Sequence, residues 1–223
     1  MPKPILGYWN FRGFCEPIRY LLHYCNVEYE EKKYTVENRE EWDNIKRSLN
    51  LDFPNLPYWI DDKVRLSQSN TILRYLSEKY GLDGKNEEER LRLCLIEQQI
   101  YDLRDSLRHL TYNGPEHYEK RIEEYKRNLP IQMKEISDFL GDRKFMVGDR
   151  LTYGDFMAYD CIDFFHYLIP DILKDFPNLR SFQERIRNLP QLQNYFNSPD
   201  HRRWPFNSPN AVFGGKGPEP KQE

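Results

Sequence analysis

Every strand signal in this chain lies before Gly81-Leu82-Asp83-Gly84; behind that stretch only helical periodicities remain. Strand candidates Ile5–Trp9, Tyr29–Tyr34, Tyr58–Ile60 and Val64–Leu66 are interleaved with helix candidates Pro17–Tyr24, Glu40–Ser48 and Ser69–Lys79. This β-α-β-α-β-β-α order predicts a small mixed sheet carrying helices, with Asp61-Asp62-Lys63 as a hairpin turn. Further on, Leu91, Leu95, Ile100, Leu103, Leu107 and Leu110 recur at helical steps beside Ile96, which predicts a long amphipathic helix. Tyr118, Ile122, Tyr125 and Leu129 mark a second helix, bent at Pro130 and continuing through Met133, Ile136 and Leu140. Thr152-x-x-Asp155 has the spacing of an acidic capping box, with Leu151 stapling to Phe156. The nearly continuous apolar run through Met157, Ala158, Cys161, Ile162 and Phe165 then forms the centre of an all-helical part. The expected organisation is an α/β domain over 1–82, a linker over 83–87, and a helical domain over 88–223. An irregular tail rich in Pro, Gly and Asn runs over the surface from about 198. Gly214-Gly215-Lys216-Gly217 in that tail lacks the Ser/Thr and the flanking elements of a phosphate loop.

A net charge of −3 exerts no general pull on nucleic acid, and the basic pairs Lys120-Arg121 and Arg202-Arg203 are interspersed with acids. No run reaches transmembrane length, and the opening Met1-Pro2-Lys3-Pro4 has no apolar leader. Cys15, Cys25, Cys94 and Cys161 are scattered without a Cys-x-x-Cys pair, which fits a reducing, cytoplasmic setting. No metal-ligand spacing is present, and neither nucleic acid nor membrane is expected as a partner.

Two places carry chemistry. Pro54 and Pro57 forbid a helix before Tyr58-Trp59-Ile60, and Pro57 fits only a strand's first position or a cis turn. Leu56 is then expected to present bare backbone polar groups to a neighbour. Ser69 begins a helix whose outward N–H groups suit a carboxylate. A strand-like backbone beside a carboxylate pocket is a site for a small acidic peptide. The other place is Tyr8, where the first strand hands over through Asn10-Phe11-Arg12-Gly13 to a helix. By periodicity alone it is one of 16 tyrosines that fill a core.

Leu6-Gly7-Tyr8-Trp9, Leu51 through Tyr58, Gln68-Ser69, Asp155-Phe156 and Phe176-Pro177-Asn178-Leu179 together make the chain resemble a cytosolic glutathione S-transferase of the mu class, over nearly its whole length. The resemblance implies a thioredoxin-like first domain and a homodimer that conjugates glutathione, a co-substrate and not a cofactor, to small apolar electrophiles. It implies that Tyr8 donates a hydrogen bond to the glutathione sulfur. It further assigns glutathione contacts to Trp9, Arg39, Trp42, Lys46, Asn55, Leu56, Pro57, Gln68 and Ser69. Asp102 would reach the ligand of the neighbouring subunit, and Phe53 would insert into the partner's helical domain. The electrophile would meet Trp9, Phe11, Phe14, Tyr101, Asp105, Arg108, Tyr112 and Phe206. The chain departs from the class in two respects. Only Val36-Glu37-Asn38 separate Tyr34-Thr35 from Arg39, which shortens the loop before that helix and opens one wall of the site. Asp105 and Arg108 stand where apolar or small residues are usual, at the i, i+3 spacing of an ion pair. Two rivals remain at this point: a reductase with Cys15 as nucleophile at a helix N-terminus, and a non-enzymatic carrier of apolar ligands.

Overall fold

A computed structural model describes residues 2–220. Strands β1 (Ile5–Trp9), β2 (Glu30–Tyr34), β3 (Tyr58–Ile60) and β4 (Arg65–Ser67) form one sheet in the order β2-β1-β3-β4. β1 runs parallel to β2, pairing Ile5 with Glu30 and Trp9 with Tyr34, and antiparallel to β3. The parallel pair needs a crossover, which α1 (Glu16–Tyr24) supplies; β3 and β4 need only a hairpin. Helices α2 (Arg39–Ile45) and α3 (Ser69–Tyr80) complete this part. The element order is the one expected, with end points displaced by a residue or a few.

β1 occupies the centre, so its middle residues Leu6, Gly7 and Tyr8 are buried. Gly7 is required by a close approach: a Cβ there would lie 2.1 Å from the Tyr58 ring. Beneath α2 a small aromatic core gathers Tyr34, Trp42, Leu51 and Tyr58. The larger core starts from Leu6, Ile18, Leu21, Trp59, Ile72 and Leu76 and runs without a break into the helical part.

That part consists of α4 (Glu87–Tyr112), α5 (Pro115–Leu140), α6 (Tyr153–Leu168), α7 (Pro177–Arg187) and the short α8 (Gln193–Phe196). α4 starts where Asn86 accepts a hydrogen bond from the Glu89 N–H at 2.9 Å. α5 is one continuous helix that contains Pro130. α6 is buried along nearly its full length, as its composition predicts. Its capping box is complete: the Asp155 carboxylate accepts from the Thr152 N–H at 2.7 Å and the Thr152 hydroxyl at 2.9 Å. It also accepts from the Met146 N–H at 2.7 Å, so the box pins the preceding loop as well.

The last segment differs from a surface tail. Pro205 and Phe206 carbonyls accept from the Arg12 and Gly13 N–H groups at 3.0 and 2.8 Å, and the Val212 N–H donates to the Thr111 carbonyl. Phe206 is buried against Phe164 and Tyr167. Composition marks such a stretch as irregular, and it is; aromatic anchors spaced along it make it part of the core.

Candidate functional site

Tyr8 lies one residue before the end of β1, where its side chain passes from the sheet into the turn Gly13–Cys15. Its hydroxyl oxygen accepts from the Phe14 N–H at 3.1 Å. Burial pushes the phenol's pKa well above its ordinary value, an effect the Phe14 N–H only partly offsets. Tyr8 therefore keeps its proton, and because the oxygen already serves as acceptor, the O–H is free to donate. Gly13 makes this possible. Its φ is +50°, and a Cβ there would sit 2.3 Å from the Tyr8 hydroxyl.

A buried charge chain holds the same turn from behind. The Arg104 guanidinium donates to the Gly13 carbonyl at 2.6 Å and to the Asp160 carboxylate. Asp160 also takes a bond from Arg12 Nε at 2.7 Å, and Arg12 Nη1 reaches Asp163 at 2.6 Å. Arg104 thus grips the carbonyl of the very peptide whose N–H, that of Phe14, touches Tyr8. Arg12, Arg104 and Asp160 are not among the residues expected at the site; for Arg104 and Asp160 the available signal is a polar residue on an otherwise apolar helix face.

A cleft of about 350 Å³ opens at Tyr8. Trp9, Phe11, Gly13 and Phe14 form one wall, and Arg104, Leu107, Arg108 and Tyr112 of α4 the other; Phe164, Asn207 and Ser208 complete it. Five of the eight positions expected around an electrophile are here: Trp9, Phe11, Phe14, Arg108 and Tyr112. The other three are not on the wall. Tyr101 packs beside Phe14, ring centroids 6.2 Å apart, and faces a smaller hollow with Ser69 and Asn70. Asp105 sits outside and holds Arg108 at 2.8–2.9 Å, the expected ion pair. Phe206 lies behind the wall, stacked on Phe164 at 4.3 Å and capped by the Arg12 guanidinium at 4.0 Å. Leu107, Phe164, Asn207 and Ser208 line the cleft as well, outside the expected set. Ser208 gives its N–H to the Tyr112 hydroxyl at 2.8 Å, tying the last segment across the mouth.

The peptide-site candidates gather at the same end of the sheet as Tyr8, because Tyr58 pairs with Gly7 and Ser67, and Tyr34 with Trp9. Leu56 precedes a cis bond to Pro57, and its N–H is not bare: it donates to the Asn55 side chain at 2.9 Å. Gln68, not Ser69, caps α3; its φ of +72° and ψ of 113° turn the chain sharply and leave Ser69 as the first helical residue. Trp42 is buried and stacked on Tyr58 at 6.0 Å. The cations of Arg39 and Lys46 both turn to Asp43, at 3.2 and 2.6 Å. Asp102 is exposed on α4, and Phe53 is 71% exposed on its loop. Cys15 is fully buried, and burial raises its thiol pKa, the reverse of what a helix-terminal nucleophile needs.

A four-stranded mixed sheet with a buried tyrosine at the end of its first strand, backed by a helical part, defines a thioredoxin-like transferase architecture. Residues 4–78 match the family described as the glutathione S-transferase N-terminal domain, and residues 101–199 match the corresponding C-terminal domain. The class-mu 26 kDa isozyme 51 of Fasciola hepatica, a glutathione S-transferase, is 43% identical over 94% of this chain and 95% of its own length. Glutathione S-transferase Mu 1 of Mus musculus is 45% identical, over 95% and 99%. Among solved structures, the glutathione S-transferase Blo t 8 superposes with a TM-score of 0.88 at 34% identity, covering 94% of this chain and 99% of that one. The chain belongs to the glutathione S-transferase family, in its mu class.

Proposed function

We propose that this protein transfers the glutathione sulfur to electrophiles bound in the cleft at Tyr8. The observation that carries this reading is the Tyr8 hydroxyl: protonated, buried, already supplied with an N–H at its oxygen, and free to donate into the cleft. A thiol of pKa about 8.5 is only a few per cent ionised at pH 7. Lowering that value by about two units requires about 2.7 kcal/mol, and one hydrogen bond to a charged acceptor contributes roughly 1.5–3 kcal/mol. One hydroxyl therefore suffices, without a general base. The thiolate sulfur then bonds to the electrophilic carbon, and either a leaving group departs with its electron pair or an activated double bond takes up a proton.

In this reading Leu56 exchanges its Asn55 contact for the cysteinyl unit, a one-residue strand addition. Gln68 and Ser69 hold the γ-glutamyl carboxylate, and Lys46, Trp42 and Arg39 take the glycyl end. Aromatic rings of the cleft receive the apolar body of the electrophile. The protein works as a cytoplasmic homodimer in which Asp102 completes the neighbour's site. Exposed Phe53 and the exposed Leu91, Leu95 and Ile131 on α4 and α5 support that assembly. Among the described residues no helix is long and apolar enough to cross a membrane. The buried Cys15 speaks against the reductase reading.

The test is Tyr8→Phe. Spectroscopic titration of bound glutathione should show its thiol pKa rising by about one to two units, with affinity for glutathione little changed, because only a thiolate-specific bond is lost. An unshifted thiol pKa refutes the role of Tyr8.

A further inference from the structure

The cleft at Tyr8 is walled by aromatic rings, yet it includes two guanidinium groups and, among the described residues lining it, no carboxylate. The two arginines are not equivalent. Arg104 is buried and occupied by Asp160 and the Gly13 carbonyl. Arg108 lies one turn, about 6 Å, further along α4, and its side chain is 46% exposed. Asp105 takes its Nε and Nη2 groups from outside the cleft, and the His109 ring lies 3.3 Å from the same Nη2. Among the described residues nothing accepts from Nη1. The outer contacts therefore aim the guanidinium and leave one pair of N–H donors unused on a wall it shares with Leu107 and the Tyr112 ring.

We propose that Arg108 makes this cleft select electrophiles that carry an anionic oxygen group, a carboxylate above all, on an aromatic body. The proposal rests on the transferase reading and adds the substrate class to it. A carboxylate gains a charge-assisted bond from Nη1, stronger than a neutral group would gain there. Its aromatic body packs against Trp9, Phe11 and Tyr112 while the reacting carbon stays near Tyr8. A neutral electrophile of the same shape gains only the packing. Asp105 is essential to the arrangement and not a repellent: it is bound on the far side of the guanidinium, and Arg108 stands between it and the cleft.

The test compares 4-chloro-3,5-dinitrobenzoate with 1-chloro-2,6-dinitrobenzene. In both, sulfur bonds to the chlorine-bearing carbon and chloride leaves with its electron pair; only the first carries a carboxylate. With each kcat/KM divided by the uncatalysed rate constant, the wild type should favour the benzoate at least tenfold. Arg108→Gln should reduce that preference at least tenfold, and Arg108→Lys should keep part of it. A preference unchanged within twofold in Arg108→Gln, or a wild type that favours the neutral halide, overturns the proposal. Calorimetry with the two preformed glutathione conjugates gives a reading that needs no turnover, and the same order of affinities is expected. Failure to convert either halide while the conjugate affinities still split, and lose the split in Arg108→Gln, refutes the transferase reading and leaves the role of Arg108 standing.

Discussion

At the scale of the residue, the site depends on one peptide unit. The Gly13 carbonyl is bound to Arg104 and the Phe14 N–H to Tyr8, so a cation polarises the amide that in turn polarises the phenol. Cys15 comes next in the chain but takes no part: its thiol is buried and pushed up, like that of Cys161, raised to about 12 by burial. Cys94 is exposed. In the native protein a thiol-specific alkylating agent should label Cys94 at once and Cys25 slowly, whereas Cys15 and Cys161 should react only on denaturation. Mass spectrometry of labelled peptides reads this directly. Prompt loss of Cys15 with loss of glutathione-dependent disulfide reduction would revive the reductase reading.

At the scale of the element, the start of α6 has a measurable pH signature. Three donors favour the Asp155 carboxylate, but burial outweighs them and raises its pKa to about 6. Because the folded value exceeds the unfolded one near 4, the group stabilises the fold most below pH 4. That contribution fades as pH rises to 6 and is constant above. Relative to Asp155→Asn, which does not titrate, the wild type should gain about 1.4 kcal/mol per pH unit on going from pH 6 toward pH 4. Urea unfolding of both proteins across that range checks it; a constant difference would mean an ordinary carboxyl. This capping box was legible because Thr152 and Asp155 are three residues apart and local chemistry decides the outcome. So were the order of strands and helices and the position of Tyr8. Arg12 and Asp160, 148 positions apart, carry no local sign of meeting. The cap position of Gln68 is hidden for a related reason: a serine is the commoner cap, and only the tertiary turn before α3 puts a positive-φ residue one place ahead of Ser69. The stretch around Phe206 has the composition of a tail, because composition describes a segment's flexibility and not what its few large side chains find.

At the scale of the whole molecule, the proposed dimer would cover apolar residues left exposed on two parts of the fold, Phe53 on its loop and Leu91, Leu95 and Ile131 on α4 and α5. Phe53→Ser should convert dimer to monomer in sedimentation, since a buried aromatic anchor often contributes about 2 kcal/mol or more. Asp102→Asn should stay dimeric yet bind glutathione more weakly, as should the Phe53→Ser monomer. A monomer with wild-type affinity would show each site to be complete within one chain. The cleft also joins residues from opposite reaches of the polypeptide: Arg12 and Gly13 are tied to Pro205 and Phe206, and Tyr112 to Ser208. During synthesis, β1 and Tyr8 emerge first and wait for almost the entire remaining chain before their pocket has a closing wall. A ribosome stalled before residue 205 has already read every candidate glutathione contact but not the Asn207 and Ser208 that complete the cleft. The cleft at Tyr8 is thus complete only once translation has passed that point.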